Sequence, residues 1–218
     1  MITWSIPGVG AWLHPAVDIH VDSLEAYAES AKAHLAVKLA EFEATVEAAA
    51  KSIDPNYRDE YYEHHSDEYW ELTTSFPRLL RQSVFLSLYG WSEHELTSVC
   101  KQIQKQEELR VSLSDLRGDG IQGAFAYLKK VVGVDFATDD RRWEYTVAYN
   151  RLRNAVAHQN GGVSDQGQRA SIEVLPGVAF DDLHRAELGA EFLPAAFAHF
   201  RKLLHDLADR LPVPKSEE

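Results

Sequence analysis

The chain has very little cysteine and no long apolar run, and both shortages restrict the classes of protein that fit. Cys100 is the single cysteine among 218 residues. It cannot form an intrachain disulfide or a cysteine-based zinc site, and this usage fits a reducing cytoplasm. No run of 18 or more apolar residues occurs, so no membrane-spanning helix is predicted. The N-terminus also lacks the basic and apolar regions of a signal peptide, which favours a cytoplasmic protein.

The short motifs of several enzyme classes are missing as well. The sequence has no Gly-x-Ser-x-Gly motif, no Walker-type loop and no Gly-x-Gly-x-x-Gly loop, so no nucleotide cofactor is predicted. One candidate metal site is the pair of adjacent histidines, His64 and His65, beside Glu63 and Asp67. Neighbouring residues point to different sides of a helix, however, so a solvated acidic face is favoured and no metal is predicted.

Positive charge is scarce, with 22 Lys and Arg against 34 Asp and Glu and a net charge of −12. This balance argues against a protein that coats nucleic acid by bulk electrostatics. The deficit is uneven along the chain. Residues 1–75 carry 14 acidic and 4 basic side chains, whereas residues 76–158 carry 10 acidic and 12 basic ones. Residues 76–158 are therefore the one segment whose net charge would not repel a polyanion.

Most of the chain has helical patterns. Ser23–Lys51 is rich in Ala, Glu, Lys and Leu, which predicts a long amphipathic helix that ends at Asp54–Asn56. An acidic, aromatic helix is predicted over residues 57–75. Residues 76–109 predict a helix with one core-facing side and Gly90 as a bend point. That side carries Phe85, Leu88, Leu96, Val99 and Ile103, with Cys100 beside them as a small core residue.

The remainder predicts shorter elements. Ser114 and Asp119 are candidate caps before a helix over residues 121–132, and Thr138–Asp140 begins a helix that runs to about His158. A β-hairpin is predicted around Pro176 and Gly177, followed by a last helix over Glu187–Leu211. The fold class is therefore mainly all-α with one small hairpin. The predicted division is an acidic helical extension (1–74), a helical domain (75–211) and a tail (212–218).

The stretch YNRLRNAVAHQNGG, residues 149–162, concentrates polar side chains on one helix. At 100° per residue, Tyr145, Tyr149, Leu152 and Val156 form one apolar stripe that must be buried. The opposite side carries Asn150, Asn154 and His158, with Trp143 and Val147 earlier on the same side and Arg153 on the flank. Gly161 or Gly162 suits the left-handed position that ends a helix.

This polar side has two interpretations. In the first it is a solvated helix end, where a histidine interacts well with the helix dipole. In the second it lines a cleft and meets a ligand. Burial of an unpaired guanidinium costs several kcal/mol of folding free energy. In either case the Arg153 side chain must therefore be hydrated, paired with a carboxylate or in contact with a ligand.

The segment RNAVAH, Arg153 to His158, has the form Arg-x4-His with Asn154 directly after the arginine. It resembles the motif of HEPN domains (higher eukaryotes and prokaryotes nucleotide-binding). The preceding helix is similar to the HEPN helix that carries an acidic residue one turn after an aromatic one, here Glu93 after Tyr89. The resemblance covers roughly residues 75–210 and leaves the acidic N-terminal helices unmatched.

The resemblance implies an α-helical bundle that dimerises and places two Arg-x4-6-His motifs along a shared cleft. Many members cut RNA without a metal and belong to toxin–antitoxin, abortive-infection or CRISPR defence systems. The 2′-OH then attacks the adjacent phosphate and leaves a 2′,3′-cyclic phosphate. RNA, a second copy of the chain and an antitoxin or regulatory protein are the partners that it implies.

The resemblance also implies roles for individual residues. His158 moves a proton, Arg153 holds the phosphate, and Asn154 orients His158 or donates to a phosphate oxygen. Glu93 pairs with Arg153, and Asn150 and Arg151 support the site. Two alternatives remain open: a HEPN-like module that binds a nucleotide or protein without catalysis, which the charge of −12 favours, and a helical interaction protein in which the motif is coincidental.

Overall fold

The computed structural model describes residues 9–116, 118, 120–135 and 141–211, and within them the protein is a helical bundle with one two-stranded sheet. The α-helices in chain order are α1 (Val9–Ala50), α2 (Arg58–His64), α3 (Ser66–Trp70), α4 (Phe76–Gln106), α5 (Gly120–Tyr127), α6 (Arg141–Gln159), α7 (Gln166–Ile172) and α8 (Phe192–Ala208). Strands β1 (Val178–Phe180) and β2 (Ala186–Leu188) pair antiparallel. The mainly α fold with a small hairpin is thus confirmed.

The core lies where α1, α4, α6 and α8 pack together. All five residues predicted for the buried side of α4 are almost fully buried, because a helix with that spacing presents them on one face. Helix α4 runs without interruption through Gly90. On α6, Tyr149 and Leu152 are fully buried, while Tyr145 and Val156 pack against the core from its edge.

Helix α1 begins earlier than predicted and belongs partly to the core. It is already helical at Val9, and Ser23 lies inside it, where its hydroxyl donates to the Ile19 carbonyl instead of capping a helix end. Leu13, Val17 and Val21 are fully buried in the same cluster as α4 and α8. The packing therefore places the first half of α1 in the bundle, whereas the predicted extension covers residues 1–74.

An ion-pair cluster joins α1 to α8 over a long sequence separation. Arg201 of α8 donates to Asp18 at 3.0 Å, to Asp22 at 2.7 Å and to Glu25 at 3.1 Å. The three carboxylates recur every three or four residues, so they form one row along α1 that faces α8. One guanidinium thus holds three acidic side chains of the N-terminal helix.

The predicted second helix is divided in the structure. The chain turns at Asp54 as expected, and its carboxylate accepts from the Asn56 amide before a short 3₁₀ turn at Pro55–Tyr57. Helices α2 and α3 are separated at His65, which has non-helical backbone angles, and Glu71–Ser75 is a π-helical segment that leads into α4. The single helix predicted over residues 57–75 is wrong in this respect.

The hairpin exists, but its turn was placed wrongly. The apolar run before Pro176 belongs to the end of α7 and the following turn, and the strands flank residues 181–185. Asp181 makes that turn, since its carboxylate accepts from the backbone N–H groups of Leu183 and Arg185. Glu187 pairs with Ala179 in the sheet, so the last helix begins at Phe192 and not at Glu187.

The helix predicted over residues 121–132 is present, but the candidate caps predicted near it are not all where they were expected. Helix α5 and the π-helical segment Leu128–Val132 confirm the helix predicted over residues 121–132. Ser112, and not Ser114, forms a capping box with Asp115 around the preceding 3₁₀ turn. Asp119, Thr138–Asp140 and the tail over residues 212–218 lie outside the described residues.

Candidate functional site

The Arg153 side chain is held by three contacts where α6 crosses α4. Its Nη1 donates to Oδ1 of Asn154 at 2.9 Å, and its Nη2 donates to Oε2 of Glu93 at 3.3 Å. The guanidinium carbon lies 5.4 Å from the centre of the Tyr89 ring, which is within the range of a cation–π interaction. The pairing predicted between Arg153 and Glu93 is therefore present.

Tyr89 connects this cluster to the first half of the polar face. Its side chain is buried, and its hydroxyl donates to Oδ1 of Asn150 at 2.9 Å. Burial raises the pKa of Tyr89, and the nearby Glu93 carboxylate adds to the increase, so the phenol keeps its proton and remains a donor. Asn150 is thereby fixed against α4.

Glu93 is confined from a second side by the start of α5. Gly120 has a left-handed φ of 64°, and a Cβ atom there would lie 3.0 Å from Oε1 of Glu93. A side chain at this position would push against the carboxylate as well as strain the backbone. Glycine at position 120 therefore leaves room for the Glu93 carboxylate to reach Arg153.

The end of α6 is anchored by the hairpin. Asn160 and Gly161 have left-handed φ angles of 50° and 82°, and the Gly161 amide donates to the Ala155 carbonyl. Gly161 therefore takes the left-handed position predicted for it. The Gly161 carbonyl then accepts from Ala186 of β2, and the Val163 amide donates to His184. The turn of helix that carries His158 is thus attached to a paired strand.

His158 and Arg151 are not joined to the Arg153 cluster within one chain. Both side chains are exposed and make no hydrogen bond or ion pair to any other described residue. On one helix, Arg153 and His158 are separated by about 7.5 Å along the axis and about 140° around it. The structure therefore brings together Tyr89, Glu93, Asn150, Arg153 and Asn154, and leaves His158 at the surface beside them.

The cluster leaves Arg153 able to bind an anion. A guanidinium has five N–H donors, and two of its nitrogens donate to Asn154 and Glu93 here. The side chain remains 31% exposed, so its other donors can reach a ligand. A carboxylate that fixes one edge of the guanidinium also reduces the entropy that it loses on binding.

Gly120 was missed by sequence reasoning, which named Tyr89 only as the aromatic residue one turn before Glu93. Tyr89 and Glu93 are four residues apart, so both lie on one side of α4, and this spacing was the available signal for Tyr89. No comparable signal existed for Gly120, because its contact with Glu93 depends on how α5 packs.

The other candidates have structural partners. His65 packs edge-on against Tyr61 at 4.7 Å and Phe42 at 6.0 Å between ring centres. Within the described residues, no group of three His, Cys, Asp or Glu side chains lies close enough to hold a metal ion. Cys100 is buried with its Sγ 3.7 Å from the Ala124 carbonyl, and burial raises its pKa to about 12. Its thiol is therefore protonated and packed in the core.

These features define a helical-bundle protein with a half-buried Arg–Glu pair beside an exposed histidine. Comparison of the chain with protein-family models, curated proteins and solved structures finds no match. Among the helices that the structure describes, none has the length and apolar character needed to cross a membrane.

Proposed function

We propose that the protein is a metal-independent endoribonuclease of the HEPN type that acts as a homodimer. The observation that supports the proposal best is the Arg153 cluster, in which Glu93 and Asn154 hold a guanidinium that still has free donors. His158 lies on the same helix, exposed and without a hydrogen bond or ion pair to any other described residue. At a two-fold interface, a phosphate bound by Arg153 would contact His158 of the same chain or of the second copy.

The proposed reaction needs a proton moved and a charge stabilised. The 2′-OH of a ribose loses its proton and attacks the adjacent phosphorus, and the bond from phosphorus to the 5′-oxygen breaks. The departing 5′-oxygen takes up a proton, and the other RNA end keeps a 2′,3′-cyclic phosphate. His158 has a side chain suited to these proton transfers. The Arg153 guanidinium stabilises the charge that develops on the phosphate oxygens.

A second function from a different class is a HEPN-like module that binds a nucleotide or protein without cutting it. The net charge of −12 favours this function, because a strongly acidic protein attracts a long polyanion poorly. In that case Arg153 would bind a single phosphate and His158 would have no role in catalysis. In either function we place the protein in the cytoplasm, in toxin–antitoxin or anti-phage defence, with an antitoxin or regulatory protein as a further partner.

Cleavage of RNA in the presence of a chelator tests the proposal. Purified protein, His158→Ala and Arg153→Ala are incubated with total RNA and EDTA, and product ends are analysed by mass spectrometry. His34→Ala and Arg110→Ala are matched controls, since both residues are exposed and make no polar contact to other described residues. We expect 2′,3′-cyclic ends from the wild type and both controls, and a loss of about 10²-fold or more in the site variants.

Two further results decide between the candidate functions. Equal background cleavage by all five proteins would reject the nuclease, and phosphate-dependent nucleotide binding lost in Arg153→Ala would then support the binding module. Molecular mass in solution tests the shared cleft. We expect twice the 24.6 kDa of one chain at micromolar concentration, and a stable monomer would contradict the dimer.

A further inference from the structure

A groove that shares no lining residue with the Arg153 cluster has the size and shape of a small-molecule site. It lies between α1, the start of α4 and the start of α8, and its volume is about 560 Å³. Small-molecule sites in proteins usually measure about 300–1,000 Å³ and are mostly apolar. The apolar wall includes Ala28, Leu35, Leu39, Leu80, Leu193 and Phe197.

The groove is elongated because one side of α1 lines it over four turns. The lining positions run from Glu25 to Leu39 and recur with every helical turn, so they form one stripe. This stripe is about 21 Å long at 1.5 Å per residue. A volume of about 560 Å³ spread along about 21 Å makes a narrow groove, which a thin, extended apolar chain can occupy.

Arg81 distinguishes the groove from an ordinary apolar surface. It lines the groove, is half-buried, and makes no hydrogen bond or ion pair to any described residue. The other charged groups at the groove have partners: Glu25 contacts Arg201 at 3.1 Å, and Lys32 contacts Glu29 at 3.4 Å. A half-buried guanidinium beside apolar side chains gains most from an anion that replaces its lost hydration.

We propose that this groove binds a long-chain carboxylate, with the carboxylate on Arg81 and the alkyl chain along α1. The charge of Arg81 selects the anionic head, and the narrow apolar stripe selects the extended chain. The site is separate from the Arg153 cluster, so the proposal does not depend on the nuclease function.

Displacement of a fluorescent fatty acid, cis-parinaric acid, tests the site in the full chain. Decanoate, dodecanoate and tetradecanoate are compared with dodecanol. Each buried methylene contributes about 0.8 kcal/mol, or about fourfold in affinity, so we expect binding to tighten about 15-fold with every two carbons. Dodecanol is expected to bind at least tenfold more weakly than dodecanoate, because it cannot form the charge-assisted hydrogen bond with Arg81.

Two pairs of variants locate the binding site. Arg81→Gln should weaken dodecanoate about tenfold and leave dodecanol unchanged, whereas Arg78→Gln, a half-buried arginine of the same helix outside the groove, should change neither. Ala36→Trp should fill the groove and abolish displacement, whereas Ala33→Trp, also exposed on α1 but outside the groove, should not. Circular dichroism confirms that each variant is folded.

Several outcomes would overturn the proposal. Absence of saturable parinarate binding to the wild type, or equal affinity for dodecanol and dodecanoate, would do so without any variant. Unchanged dodecanoate affinity in Arg81→Gln would remove the assigned head-group contact. A protein mass that falls from dimer to monomer in Ala36→Trp, without an effect on fatty-acid binding, would assign the groove to a second copy of the chain.

Discussion

The Glu93–Arg153 pair should contribute a measurable coupling to the free energy of unfolding. At 3.3 Å and an effective dielectric constant of about 20, the two charges attract by about 5 kcal/mol before any costs. Desolvation and side-chain ordering offset most of this, and the side chains are 27% and 31% exposed. Exposed pairs retain about 0.2–1 kcal/mol, and removal of one partner from a buried pair costs about 3–5 kcal/mol. We expect a coupling of about 1 kcal/mol, between these limits.

A double-mutant cycle measures this coupling directly. Urea unfolding is followed for the wild type, Glu93→Gln, Arg153→Gln and the double variant. Lys38 and Glu41 provide the control cycle, since their charges are 3.0 Å apart but the side chains are 52% and 61% exposed. That cycle should give about 0.3–0.5 kcal/mol and lose it in 1 M salt. A Glu93–Arg153 coupling no larger than the control, or equally sensitive to salt, would refute the view that this pair is fixed and partly desolvated.

Four further predictions concern single residues. His158→Ala should change the free energy of unfolding by less than about 0.5 kcal/mol, because the side chain is exposed, so any lost activity would be chemical; a larger change would contradict its exposure. Leu152→Ala should destabilise the protein by about 2–5 kcal/mol in urea unfolding, since the side chain is fully buried, and a loss below 1 kcal/mol would contradict that packing. Cys100 should resist a thiol reagent at pH 8 until urea unfolds the protein, because burial raises its pKa to about 12; rapid labelling of the native chain would disagree. The hydrogen bond from the Arg185 backbone N–H lowers the pKa of Asp181. The ionised Asp181 side chain therefore stabilises the fold fully above the unfolded-state pKa, and this stabilisation is lost as pH falls below about 4. Asp181→Asn should reduce the acid sensitivity of the melting temperature, and an unchanged profile of melting temperature against pH would count against this contribution.

The arrangement around Arg153 also relates the two interpretations of the polar face. The half of the face nearer the core is paired, because Tyr89 binds Asn150 and Glu93 binds Arg153. The half nearer the helix end is exposed at Asn154 and His158. The Arg153 guanidinium is thus paired on one side and exposed to solvent on the other, so its burial leaves no unpaired charge.

Helical periodicity in the sequence was sufficient to predict which sides of α4 and α6 are buried. A buried side recurs every 3.6 residues whatever it packs against, so Phe85 and Leu88 on α4, and Tyr149 and Leu152 on α6, were predicted and are confirmed. Short apolar runs carry less information. The run before Pro176 suits a strand and a helix end equally, and the structure makes it the end of α7.

The local pattern by itself determined the mainly α class, the stripe of α6 and the position of Arg153 on its flank. Only the tertiary structure decided what those faces meet. Arg153 and Glu93 are 60 residues apart, Arg201 and Asp18 are 183 apart, and the fit of Gly120 against Glu93 depends on the path of α5. Periodicity encodes the direction in which a side chain points along its own helix, but the partner that it reaches depends on how all the helices pack to bury their apolar sides together.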